Sequence, residues 1–256
     1  IVRPDQYVGV TTYNGNGTSQ SLNYGWKPDF VWIKRRDTAA SPVLADTVRR
    51  AGNILRSTGT EAELTGRTDI VSSFTSTGFG VGNDALSNAS GGTHVAWAWK
   101  AGGNSNTFNI DGNGYSTASA AGLTAGTITP SGASVGTKQG FSIIGYTGNG
   151  SSGATVSHGL GKTPAFVIIK NRDSTSAYNW VVWHQSVSQA IHSSSTFTLS
   201  GFTGALILNG TNSSFTYSFD GQVNNSTEKH IAYLWAEIPG FSKFGSYTGN
   251  GNADGP

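Results

Sequence analysis

Cysteine and methionine are both absent from the 256 residues. Without cysteine there is no disulfide framework, no zinc–thiolate site and no cysteine nucleophile. Charge is also scarce, at 12% of the chain, with 16 basic against 14 acidic residues and a net charge of +2. Nucleic-acid binding needs clustered Lys and Arg to displace counterions, and the longest basic run is Lys34-Arg35-Arg36. No nucleic-acid partner is therefore expected. Apolar runs such as Ala165–Ile169 are far shorter than the roughly 20 residues of a membrane helix, so membrane insertion is not expected. No charged leader with an apolar stretch opens the chain, and no signal peptide is read there. Helical periodicity is rare, Ala45–Leu55 being its best candidate.

Glycine is abundant, with 36 residues, and there are seven Trp, nine Tyr and twelve Phe. Aromatics bury large areas, so a packed core is within reach of so polar a chain. The sequence also repeats itself. YTGNG stands at Tyr146–Gly150 and Tyr247–Gly251, and YNGNG at Tyr13–Gly17. Pro28–Asp37 matches Pro164–Asp173, and Val95-Ala96-Trp97-Ala98-Trp99 matches Ile231-Ala232-Tyr233-Leu234-Trp235, both at an offset of 136 residues. Ser72–Thr75 resembles Ser213–Thr216 between them. Landmarks in one order mark a duplicated unit. The expected division is module 1 over 1–103, a connector over 104–139, module 2 over 140–241, and the start of a third module over 242–256. Each YxGNG is read as the opening hairpin of a module, and Ser116–Leu123 in the connector as one short helix or an extended segment.

Phe30–Ile33 and Phe166–Ile169 are apolar runs rich in β-branched and aromatic residues, the signature of strands buried on both faces. Val95, Trp97 and Trp99 alternate with Ala96 and Ala98, giving one bulky and one small face. Many short strands separated by Gly-rich turns predict an all-β fold of two tandem, homologous, jelly-roll-like β-sandwich modules.

Motif-like strings fail their context. Gly148–Gly153 fits G-x-G-x-x-G, but no helix follows to bind phosphate. Asp111-Gly112-Asn113-Gly114 resembles the start of a calcium loop, but Gly122 stands where the bidentate Glu belongs. No cofactor and no metal are expected. Glycoside hydrolysis needs two placed carboxylates. Asp37 and Asp173 recur after basic stretches and read as structural ion pairs, and His158 as a turn stabiliser. No catalytic residue is assigned. Binding by aromatics is the remaining candidate. Trp180 and Trp183 lie on opposite faces of one strand, so one of them, with Tyr178, is a candidate platform for a sugar face; Trp26, beside a turn glycine, is another. Core packing is the competing reading of all four.

The words YTGNG, HGLGKTPAFVIIKNRD, VAWAWKAGG and PGFSKFGSYTGNGNADGP together resemble a repeat domain of bacteriophage tail-fibre and other virion structural proteins, of the marine and cyanobacterial phage type. That resemblance implies a non-enzymatic structural and host-attachment role at the virion surface. The partners it implies are further copies of the chain (as trimers), other virion proteins, and a host-surface glycan or protein. Asn23–Pro28 departs from the HGLGKTP pattern of module 2, which sets the two modules apart as binders. A polysaccharide-cleaving tailspike-type enzyme and a secreted bacterial carbohydrate-binding or adhesive protein are the alternatives.

Overall fold

A computed structural model describes residues 2–173, 178–186, 195–199, 203–207, 215–216 and 220–255. Ser213 and Ser214 of the repeat landmark lie outside the described residues. The fold is all-β. Its first half runs β1 (Val8–Asn14), β2 (Gln20–Asn23), β3 (Phe30–Arg35), β4 (Val43–Asp46), β5 (Leu55–Arg56), β6 (Val71–Phe74), β7 (Gly78–Val81), the one-turn helix α1 (Ala85–Asn88) and β8 (Thr93–Trp99). Three strands follow: β9 (Phe108–Ile110), β10 (Asn113–Tyr115) and β11 (Gly132–Gly136). The rest comprises β12 (Phe141–Thr147), β13 (Thr155–Ser157), β14 (Phe166–Asn171), β15 (Val181–His184), β16 (Thr196–Thr198), β17 (Thr203–Ile207), β18 (Phe215–Thr216), α2 (Asp220–Asn224) and β19 (Lys229–Trp235).

The strands pair as β1-β8-β3-β4-β5 and β2-β7-β6 in the first half. The large second sheet reads β10-β9-β11-β12-β19-β14-β15-β17-β18, with β13-β16 beside it. Within that sheet β12-β19-β14-β15 repeats the order β1-β8-β3-β4. The registers repeat too: Trp99 pairs with Val8 and Phe30, and Trp235 with Phe141 and Phe166. Segments 30–35 and 166–171 thus occupy equivalent places, as the sequence offset requires.

Alternation explains the packing. On β8, Ala96 and Ala98 turn into a first-half core with Val31, Ile33 and Phe79. On β19, Ala232 and Leu234 turn into a second-half core with Val167, Ile169 and Trp183, and Ala236 just beyond the strand joins them. The opposite faces of the two large sheets meet in a third core, where Phe30, Leu44 and Leu55 pack with Phe141, Ile168, Trp180 and Tyr233. The halves are therefore packed face against face rather than strung apart.

The segment between the halves is no spacer. β11 pairs antiparallel with β12 and parallel with β9, widening the second sheet. Asp111 and Gly112 form the two-residue β9–β10 turn, both with positive φ (50° and 90°), as a type I′ hairpin requires. The short helix considered for Ser116–Leu123 is not formed. The segment makes turns, ending at Gly122 with φ 70° and at a bond from Leu123 N–H to the Ala118 carbonyl of 2.8 Å. Ala45–Leu55 is not helical either. Asp46 accepts a bond from its own neighbour Arg49 N–H at 2.7 Å, and Arg50 and Gly52 take positive φ, which ends any helical run. Among the described residues, the two α-helices are one-turn elements that precede β8 and β19.

YxGNG is not a hairpin, since β1 and β2 belong to different sheets. It is a clasp. Tyr13 stacks on His94 at 5.0 Å and donates to the Ser87 carbonyl; Tyr146 stacks on His230 at 5.1 Å and donates to the Val223 carbonyl. Asn16 N–H donates to Asn88 Oδ1, and Asn149 N–H to Asn224 Oδ1, each at 2.9 Å. A Cβ on Gly15 would collide with the Ala89 carbonyl oxygen, and one on Gly148 with that of Asn225. The third copy keeps only the local turn, Asn252 N–H donating to Asn250 Oδ1 at 2.9 Å, with Tyr247 80% exposed. Gly148→Ala is expected to destabilise by about 1–3 kcal/mol through backbone overpacking. Gly249→Ala, where an added Cβ meets nothing within 4 Å, is expected to stay within about 0.5 kcal/mol. Urea denaturation of the two variants checks the contrast.

Candidate functional site

None of the three tryptophans presents a free face. Trp180 and Trp183 do point to opposite sides of their strand, but each side is a core: Trp180 is in the core between the halves and Trp183 in the second-half core. Their exposures are 0% and 1%, and Trp180 Nε1 donates to the Arg56 carbonyl of the other half at 2.9 Å. Trp26 is 8% exposed, and its Nε1 donates to the Asp5 carbonyl at 2.9 Å. Tyr178 is half-buried, with its carbonyl accepting from Lys170 Nζ at 2.9 Å. The expectation of an exposed sugar platform at Trp26, Trp180 or Trp183 is corrected accordingly. The apolar run around Trp180–Trp183 reports a strand covered on both faces, as the equivalent runs do elsewhere.

An aromatic concave site lies where the two large sheets meet. It is a cavity of about 430 Å³ walled by aromatics from both halves, among them Phe30, Trp99, Phe141, Phe166 and Trp235. The equivalent tryptophans Trp99 and Trp235 meet edge to face at 6.3 Å, and Phe141 stacks on Trp235 at 4.7 Å. The chain leaving β19 folds back over the opening. Phe241 meets Tyr7 at 6.3 Å, and Phe244 stacks on Phe166 at 5.9 Å. Gln185 holds this return by donating to the Phe244 carbonyl and to Glu237 Oε1, each at 2.9 Å. Lys100, Gln139 and Ser242 join the lining, with Lys100 Nζ 5.8 Å from the centre of the Tyr7 ring. The lining is chiefly aromatic and aliphatic.

A buried ionic network borders the same seam. Arg49, wholly buried, reaches Asp46 at 2.5 Å, Glu63 at 2.8 Å and the Tyr233 hydroxyl of the other half at 3.1 Å. That hydroxyl donates to Asp46 Oδ2 at 2.7 Å. Glu63 also takes Arg172 of the second half at 2.6 Å. Burial alone would raise the Glu63 carboxyl; Arg49 and Arg172 outweigh it and hold the group below its ordinary range. Lys170 joins the halves as well, donating to the Thr60 carbonyl at 3.1 Å, and burial lowers its amine to about 8. Neighbouring carboxylates are thus clamped by arginines: Asp46 and Glu63 by Arg49, Asp69 and Asp84 by Arg67. Asp37 pairs with Arg35 at 2.7 Å, and Asp173 accepts from Lys229 N–H at 2.9 Å. Among the described residues, no group of three or more His, Cys, Asp or Glu is placed to hold a metal.

Sequence reasoning missed both the cavity and the network, because their members come from segments remote in the chain. The histidines of the clasps were missed for the same reason. Burial lowers His230 to about 4, against weaker opposition from the Glu228 carbonyl and charge. Its folded value lies below its unfolded one, so its contribution is present above about pH 6.5 and is lost as pH falls toward 4. A loss of about 3 kcal/mol is expected across that window. Urea denaturation at pH 7 and pH 4.5 measures it, and His230→Phe is expected to remove this part of the pH dependence.

No helix among the described residues is long and apolar enough to cross a membrane. No curated protein and no solved structure matches the chain. A family model described as a domain of unknown function (DUF7483) matches residues 3–256. The match spans nearly the whole sequence, so the chain belongs to the DUF7483 family.

Proposed function

We propose that this chain is a non-enzymatic structural unit of a phage tail fibre or other virion appendage. The observation that carries this reading is the seam: two halves of equal strand order share one aromatic core and one buried ion network. A duplicated all-β unit packed in that way suits an extracellular shaft that must resist shear without disulfides. The sequence words that resemble virion fibre domains support the same assignment. Host attachment, to a glycan or a surface protein, is assigned to loops rather than to the tryptophans, whose rings are covered. Self-association, as trimers, and contact with other virion proteins belong to the same reading. Electron microscopy of particles labelled with antibodies against this chain tests it. Label on the tail or other appendages is the expected result, and particles of a virus encoding the chain that carry no label would refute it.

A further inference from the structure

The first half has one strand edge that its counterpart does not leave open. Among the described residues, β1 ends its sheet, with β8 as its neighbour, whereas the equivalent β12 is flanked by β19 and β11. The bonds from Lys100 N–H to the Tyr7 carbonyl and from Gly15 N–H to the Gly92 carbonyl, both 2.8 Å, fix which residues face β8. Antiparallel pairing alternates, so Val8, Val10 and Thr12 direct their backbone groups to the open side. Their equivalents on β12 are Phe141, Ile143 and Gly145, and these pair with Gly136, Ser134 and Gly132 of β11. The side chains differ in step: Val10 is 60% exposed, while Ile143 is fully buried.

Open edges are usually blunted by charge, proline or a bulge. Val8–Asn14 reads VGVTTYN, without a charged residue or proline, and its register with β8 is unbroken. The geometry points to β1 as a docking edge for an antiparallel strand of the Gly132–Gly136 kind, donated by a further unit of the same family. The small residues of that strand lie flat against the edge as they do on β12. A second copy of this chain is a poorer donor, because its own β11 is held between β12 and β9. Added strands of this type gain affinity from main-chain hydrogen bonds. The inference rests on the topology of the two halves and not on the virion assignment.

The test places a second copy of residues 104–140 directly before Val8, reproducing the four-residue link Thr137–Gly140 between β11 and β12. Amide hydrogen exchange is read at Val8, Val10 and Thr12. These amides are expected to slow by about 100-fold or more relative to the unaltered chain. They are expected to return to the fast rate when Ser134→Pro is made in the added copy, since proline cannot donate to the ladder. A peptide of residues 130–138, titrated into the unaltered chain and read by amide chemical shifts at the same positions, serves if the extended chain does not fold. Fast exchange in the folded extended chain, or no shift with the peptide, overturns the proposal. So does protection in the unaltered chain that grows with its concentration, which would place a second copy on the edge instead.

Discussion

Arg49→Met is expected to destabilise the chain by about 3–5 kcal/mol, because it leaves the Asp46 carboxylate buried without its counter-charge and Glu63 with Arg172 alone. Arg49 meets Asp46, Glu63 and the Tyr233 hydroxyl, and also donates to the Leu44 and Asn53 carbonyls at 3.2 and 3.0 Å. Methionine replaces the stem and none of these donors. Asp46 then keeps only the Arg49 N–H and the Tyr233 hydroxyl, in a site shut off from water. The melting temperature should fall by about 10 °C. Asp46→Asn in the same background should recover part of the loss, since a neutral amide is far less costly to bury than a carboxylate. Tyr233→Phe should cost less, about 1–2 kcal/mol, as one hydroxyl is removed from a network that otherwise persists. A loss under 1 kcal/mol for Arg49→Met would show that water reaches these carboxylates and that the network does not join the halves.

What was legible in the sequence is what local patterning encodes. The apolar runs at Phe30–Ile33 and Phe166–Ile169 lie inside strands, and the Trp-Ala alternation of β8 separates two faces as period two demands. The repeat offset placed equivalent strands correctly, because a duplicated sequence keeps its pairing partners. The failures share a different cause. Ala45–Leu55 contains good helix formers, but Asp46 captures the backbone and Arg50 adopts positive φ, so tertiary demand for Arg49 overrides propensity. YxGNG looked like a turn because its last glycine does take positive φ. Its first glycine serves close backbone approach, which no local pattern reveals. The seam was invisible because a buried face toward the second half and a solvent face read alike along a single strand.

Trp180 shows what that distinction predicts. Trp180→Ala is expected to cost about 3–5 kcal/mol, through lost burial and the cavity left behind. A sugar platform at the same residue predicts the opposite pattern, with binding abolished and stability within about 0.5 kcal/mol. The indole also spans the seam, so its loss should be felt in the half that does not contain it. It shares one core with Phe30, Leu44 and Leu55, and its Nε1 donates to the Arg56 carbonyl. Amides of β4 and β5 should therefore exchange faster in Trp180→Ala. Trp183→Ala removes a ring of the same size from the second-half core; it should destabilise comparably but leave exchange in β4 and β5 unchanged under native conditions. The pair separates a shared interior from two separate ones: equal local losses with no transfer across the seam would mean that the halves fold and open independently.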